Sequence, residues 1–141
     1  MRSLLTIGSF DTLHLDHIRL FDQCRRLIGS DGRLIVGVNS DGFYKSYRGY
    51  QPLMPEDVRV GVINRLEVVD EVIVNYGGSN QAALINKVNP DILAIGTDWA
   101  TRDYYGQLGI TQEWLDERDI QLVYLPHGTR YSSTEIKKRL G

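Results

Sequence analysis

The sequence predicts an α/β protein of the doubly wound, Rossmann-like kind: a single five-stranded parallel sheet with helices on both faces. Three observations carry this expectation. Five short apolar runs rich in branched residues recur along the chain, each closed by Gly, Asn or Pro. The stretches between them place apolar residues at helical spacing. The connections are short, and a strand, helix, strand repeat of that kind returns by right-handed crossovers to a parallel sheet covered on both sides.

The elements follow in order. Residues 4–7 form the first strand, and Gly8 lets the chain turn sharply out of it. His17, Phe21, Cys24 and Ile28 then fall at i, i+4, i+7 and i+11, one stripe on one helix face. Residues 34–38 make the second strand. The Tyr-rich segment 43–50 reads as a solvated loop with aromatic anchors, and its length and position also suit a flexible flap. Pro55, Glu56 and Asp57 form a first helical turn. The third, fourth and fifth strands are residues 72–74, 92–95 and 122–125, and Ser79 and Ser132 are N-caps of the helices that follow the third and fifth.

A length of 141 residues fits one domain spanning residues 1–141. Sixteen Lys+Arg against eighteen Asp+Glu give a net charge of -2, which argues against broad attraction to nucleic acid or anionic lipid. Neither partner is expected, and any phosphate must be held locally. The lone Cys24 makes no internal disulfide or cysteine-rich metal site and reads as a buried helical thiol, as fits a reducing compartment. The apolar start at 4–7 is too short for a signal segment or a membrane span, so a cytoplasmic protein is expected.

In an open parallel sheet, ligands sit outside the carboxyl ends of the strands. After the first strand, a helix N-terminus offers N–H groups and the positive end of its dipole to an anion. His14 and His17, three apart, face one side there and can donate to phosphate oxygens. The plainer reading has one His capping the helix and the other packed at the surface. A metal site of both His and Asp16 is a lesser reading, because no further His or Cys has suitable spacing. Ser132, Ser133, Thr134 and Glu135 satisfy a capping box, which suffices as structure; beside His127 and Arg130 they also make a second phosphate cradle facing the first. Two facing cradles suit a triphosphate. Lys45 and Arg48 could bring positive charge over the crevice, and Asp98 and Trp99 could contact a base or an acceptor, or simply pack.

The run Gly8-Ser9-Phe10-Asp11-Thr12-Leu13-His14-Leu15-Asp16-His17, with Tyr131-Ser132-Ser133-Thr134-Glu135-Ile136 near the end, resembles the cytidylyltransferase family of nucleotidyltransferases, of the His-x-Gly-His type. Within it the sequence is most similar to the bacterial glycerol-3-phosphate cytidylyltransferases. Ser40-Asp41-Gly42-Phe43, Arg59, Val69-Asp70-Glu71-Val72-Ile73, Gly96-Thr97-Asp98-Trp99 and Val123-Tyr124-Leu125-Pro126 match further landmarks in the same order. The resemblance implies transfer of CMP from CTP to a small phosphorylated alcohol or sugar phosphate, with release of pyrophosphate and with Mg²⁺ carried by the nucleotide. It implies that Ser9, Phe10, His14 and His17 hold the triphosphate, and that His127, Arg130, Tyr131, Ser132, Ser133 and Thr134 close around it. Asp98 and Trp99 complete the expected nucleotide site. His14, His17 and Lys45 are the expected catalytic residues, and Lys45, Arg48 and Arg59 the acceptor-binding ones. The family also implies a homodimer, for which the sequence offers only the aromatics Tyr44, Tyr47 and Tyr50.

Departures from the family pattern stand out: Asp16 replaces the Gly of the motif, Glu67 and His127 stand where close relatives have an Arg, and the relatives' paired lysines are not reproduced at their spacing, leaving Lys45 with Arg48. Two other functions use the same residues. One is adenylyl transfer from ATP; the other is a nucleotide-binding protein with impaired catalysis.

Overall fold

All five apolar runs are strands, and every pairing between them is parallel. The structure is a computed structural model and describes residues 2–77, 80–96 and 110–125. The described elements are β1 (Ser3–Gly8), α1 (Leu15–Ile28), β2 (Arg33–Asn39), α2 (Asp41–Arg48), α3 (Glu56–Asn64), β3 (Glu71–Asn75), α4 (Asn80–Val88), β4 (Ile92–Gly96), α5 (Gln112–Glu117) and β5 (Gln121–Leu125). Ser79, Ser132 and the helix expected after β5 lie outside the described residues.

The strand order is β3-β2-β1-β4-β5. The chain steps outward from β1 to β2 to β3, then crosses to the other side of β1 for β4 and β5. The reversal falls between β1 and β4, where doubly wound sheets bind their ligands. In register, Leu4 lies beside Leu34 and Ile92, and Asn39 beside Asn75 at the carboxyl edge.

Alternation along the strands feeds two cores. Leu4, Leu34, Val36 and Val38 face α1 and α3, meeting Phe21, Cys24, Ile28 and Ile63. Leu5, Ile35, Leu93 and Ile95 face the other way, toward Ile85 of α4 and Leu115 of α5. The stripe read for α1 is the buried one, except that His17, at its upper end, is only half-buried. Burial pushes the Cys24 thiol up to about 12, so it packs as a neutral apolar group. The lower end of α1 is fastened by Arg25, which donates to the Val68 carbonyl and to the Asp70 carboxylate at 2.5 Å. Burial pushes the Asp70 carboxyl upward, but the Leu34 N–H and the Arg25 guanidinium outweigh it and hold the group below its ordinary value. Among the described residues, no helix is long and apolar enough to cross a membrane.

Three local expectations are corrected. Segment 43–50 belongs largely to a helix, α2, rather than to a loop or flap. Ser40 caps it by accepting from the Phe43 N–H at 3.0 Å, and Glu56, arriving from α3, accepts from the Asp41 N–H at 2.9 Å. Tyr44 on its inner face is buried, so it is no surface aromatic. Gly8 does not turn the chain: it is the last residue of β1, and its missing Cβ makes room for the Phe10 ring, whose Cζ would lie 2.9 Å from a methyl there. Pro55 precedes α3 instead of opening it, and its carbonyl accepts from the Val58 and Arg59 N–H groups at 3.0 Å.

Candidate functional site

The loop between β1 and α1 rises at the topological reversal, and its backbone is strained. Phe10 and Thr12 both sit in the left-handed region, at φ 51° and 53°. For residues with a Cβ this costs about 1–3 kcal/mol each, and surrounding contacts must impose it. Those contacts are present. The Asp11 carboxylate is buried and accepts from the Leu53 and Met54 N–H groups, both at 2.9 Å, one on each oxygen. Phe10 is itself buried beside Phe21, ring centroids 5.1 Å apart.

The loop delivers His14 and His17 to the start of α1. His14 is the N-cap residue: its Nδ1 accepts from the Asp16 N–H at 3.2 Å, while its own N–H donates to Nδ1 of His17 at 3.3 Å. The two imidazoles thus cap the helix reciprocally, as a Ser and a Glu do in a capping box. Their rings stack at 3.9 Å between centroids and 22° between planes, with Phe10 edge-on to His17 at 5.5 Å. Because both Nδ1 atoms accept, the Nε2 position of each ring is the one that can carry a proton. The capping role that the sequence offered for one histidine is thus shared by both side chains. Asp16, the departure from the family motif, is turned into the protein, its side chain 1% exposed and 3.5 Å from Nη1 of Arg19. A carboxylate in the first turn suits the positive end of the helix dipole.

Arg59 is buried beneath this loop with a side chain 0% exposed. Its Nε donates to the Met54 carbonyl at 2.8 Å, and Nη1 donates to the carbonyls of Ser9 at 2.8 Å and Asn39 at 2.7 Å. Nη2 reaches the Asp41 carboxylate at 2.7 Å. The expected acceptor-binding role is corrected here. Arg59 is a clamp that ties together the ends of β1 and β2, the start of α2 and the approach to α3, and its donors face protein oxygens.

Ser9 leads into a polar relay that the sequence reading missed. Asn75 accepts on Oδ1 from the Gly77 N–H at 3.1 Å, which turns its Nδ2 toward Oδ1 of Asn39 at 3.0 Å and Oε1 of Gln81 at 3.2 Å. Nδ2 of Asn39 in turn donates to Oγ of Ser9 at 3.1 Å and to the Tyr47 hydroxyl at 3.3 Å. The Ser9 and Tyr47 oxygens share a hydrogen bond at 2.5 Å. The signal available in the sequence was an Asn ending each of two adjacent strands, where a parallel sheet points its ligand-facing groups.

Lys45 and Arg48 lie on α2 and are exposed, Arg48 with its guanidinium carbon 5.8 Å from the centroids of both the Tyr44 and Tyr47 rings. The structure thus brings Ser9, Phe10, His14 and His17 together along one loop and the first turn of α1, and joins that loop through Tyr47 to the helix that bears Lys45 and Arg48. Asp98, Trp99, His127, Arg130, Tyr131, Ser132, Ser133 and Thr134 lie outside the described residues. Among the described residues, no group of three or more His, Cys, Asp or Glu side chains is arranged to hold a metal ion, the set His14, Asp16, His17 included.

A strained loop at the reversal of a parallel sheet, ending in a helix N-terminus with two imidazoles, is an arrangement suited to polyphosphate. The cytidylyltransferase-like family matches residues 5–139. The FAD synthase of Korarchaeum cryptofilum is 29% identical over 141 residues, covering 99% of this chain and 91% of that protein. The bifunctional protein HldE of Hyphomonas neptunium is 33% identical over 135 residues, but the chain spans only 26% of its length. Among solved structures, a lipopolysaccharide core biosynthesis protein from Thermoplasma volcanium superposes with a TM-score of 0.71 at 28% identity, over 91% of this chain and 98% of that one. The chain belongs to the cytidylyltransferase-like family, a family of nucleotidyltransferases.

Proposed function

We propose that this protein transfers a nucleoside monophosphate from a nucleoside triphosphate to the phosphate of a small phosphorylated alcohol or sugar, releasing pyrophosphate. The observation that carries this reading is the pair of stacked imidazoles capping α1 at the β1/β4 reversal. An acceptor phosphate oxygen attacks the α-phosphorus in line, the bond to the pyrophosphate oxygen breaks, and no covalent enzyme intermediate forms. His14 and His17 donate hydrogen bonds to phosphate oxygens as charge builds on them. Ser9 and Phe10 shape the loop around the triphosphate. Lys45 bridges donor and acceptor phosphates, with Arg48 beside it. Ser132, Ser133 and Thr134 bind the departing pyrophosphate, His127, Arg130 and Tyr131 close over the nucleotide, and Asp98 and Trp99 contact the base.

Mg²⁺ belongs to this scheme as a companion of the nucleotide, neutralising part of its phosphate charge. The residues present fit an ion that arrives with the ligand: the carboxylate of the phosphate loop, Asp11, has each oxygen on a backbone N–H. A homodimer remains part of the proposal on family grounds.

For the donor, the motif resemblance favours CTP. A separate observation favours ATP: a relative that matches this chain nearly end to end is a FAD synthase, whose product contains an adenylyl group. Melting curves with Mg²⁺ and each nucleoside triphosphate decide between them. Stabilisation by CTP supports cytidylyl transfer; stabilisation by ATP alone reassigns the donor. Pyrophosphate release in a screen of phosphorylated alcohols then tests the transfer itself, and its complete absence alongside tight nucleotide binding would leave a binding protein without catalysis.

A further inference from the structure

The relay from Gly77 to Tyr47 has a direction, and the direction sets what it offers a ligand. The Gly77 N–H can only donate, so Oδ1 of Asn75 faces it and Nδ2 faces Asn39. Oδ1 of Asn39 is therefore the accepting end, and its two Nδ2 protons go to the oxygens of Ser9 and Tyr47. Each hydroxyl oxygen already accepts from Asn39. Between them they hold two protons, and their mutual bond uses one. The second proton has no acceptor among the hydrogen bonds of the described residues, and the Tyr47 side lies on a half-exposed helix face. The Ser9/Tyr47 pair is thus wired as a net donor of one O–H, the polarity that suits an anionic oxygen.

Topology says which anion. The nucleotide of the proposed reaction lies over the β1/β4 reversal, whereas Tyr47, Asn39 and Asn75 belong to α2, β2 and β3, on the other side of β1. The Arg48 guanidinium stands beside Tyr47 on that same side. We infer that Tyr47 binds the phosphate of the acceptor, and that Ser9, Asn39 and Asn75 are positioning residues that fix the polarity of its hydroxyl. The inference rests on the transfer reading above and adds to it a residue and a mode of recognition that selects phosphorylated acceptors.

The probe is inorganic phosphate, titrated into the isotopically labelled full chain and followed by amide chemical shifts, with a saturating non-hydrolysable triphosphate keeping the nucleotide side filled. The amides of Ser9 and Tyr47 should move with phosphate in the wild type. Tyr47→Phe should weaken phosphate about ten- to hundredfold, the worth of one hydrogen bond to a charged group, and leave the triphosphate affinity within twofold. Asn75→Asp, remote from the ligand, should act the same way: it still accepts from Gly77 but cannot donate to Asn39, whose amide then turns and makes both hydroxyls donate inward. If Asn75→Asp fails to fold, Tyr47→Phe decides alone. Phosphate shifts that bypass Ser9 and Tyr47, or an unchanged phosphate affinity in Tyr47→Phe, overturn the inference. If neither ATP nor CTP with Mg²⁺ perturbs residues 9–17, the transfer reading fails instead, and phosphate titrated alone still reports on the hydroxyl pair.

Discussion

Replacing Arg59 with Met keeps most of the side-chain volume and removes every donor. Four hydrogen bonds then vanish, at 2.7 to 2.8 Å, from a guanidinium with no exposed surface. Hydrogen bonds to a charged group contribute about 1.5–3 kcal/mol each when taken singly. They are not additive, and breaking a buried pair from one side costs about 3–5 kcal/mol in all. Asp41, 32% exposed, can rehydrate, which moves the expectation to the lower part of that range. The buried Asn39 carbonyl cannot, which keeps it from falling to nothing. A loss of about 3–4 kcal/mol corresponds to a drop in Tm of roughly 10–15 °C for a chain of this size. Circular dichroism melts and urea titrations of Arg59→Met, Asp41→Asn and the double variant measure it. Because the single Arg59→Met leaves a carboxylate without its cation, the double variant should be less damaged than the sum of the two. A Tm for Arg59→Met within about 2 °C of wild type would refute the clamp. So would strict additivity for the Asp41 part of it. Arg59→Lys should fall in between, since one ammonium cannot reach four acceptors spread over as many chain segments.

The two roles of His14 separate by substitution. His14→Ala should lose turnover about a hundredfold or more together with about 1 kcal/mol of stability, whereas His14→Asn, a good N-cap, should keep the stability and show the same loss of turnover; full turnover in His14→Asn would remove the imidazole from the chemistry. Asp70 gives a pH signature. A carboxyl held below its ordinary value, near 4 for Asp, adds stability above that pH and loses it as the pH falls toward the folded value. Asp70→Asn should therefore be less stable than wild type near neutrality, with the gap between their melting temperatures closing below about pH 4. Gly77, at φ 77°, has no room for a methyl because the Phe43 ring occupies the place. Gly77→Ala should cost about 1–3 kcal/mol in urea titration, from forced backbone and crowding together.

Much of this fold could be read from residue order because strands of a parallel sheet are buried on both faces and so appear as unbroken apolar runs. The runs at 34–38 and 92–95 needed no knowledge of their neighbours, and the structure extends them by only a residue or so at their ends. Helix α2 was not readable in the same way. Gly42 weakens the local helical signal, and what offsets it is non-local: the Glu56 carboxylate on the Asp41 N–H and the burial of Tyr44. The histidine pair shows both limits at once. Spacing put the imidazoles on one side of a helix start and allowed one His as its cap, but His is not a favoured cap, and nothing local predicted that the second ring would cap the same turn. Arg59 could be recognised as a landmark but not as a clamp, because its acceptors come from Ser9, fifty residues away, and Asn39, twenty away.

The same groups that hold the loop in place also decide what it can bind, and this limits how mutations here can be interpreted. The left-handed turns at Phe10 and Thr12 persist because Asp11 fixes the chain between them and Arg59 holds it just before, at Ser9. Loosening either anchor lets the loop relax toward ordinary backbone angles, which moves His14 off the helix start and Ser9 away from Asn39 in a single step. Stability and ligand affinity should then fall together at Asp11 and Arg59 but separately at His14 and Tyr47, whose side chains lie at the ends of the network. That contrast distinguishes a scaffold residue from a ligand-contacting one without a bound complex, because a residue in the anchor cannot lose affinity while its melting temperature stays fixed.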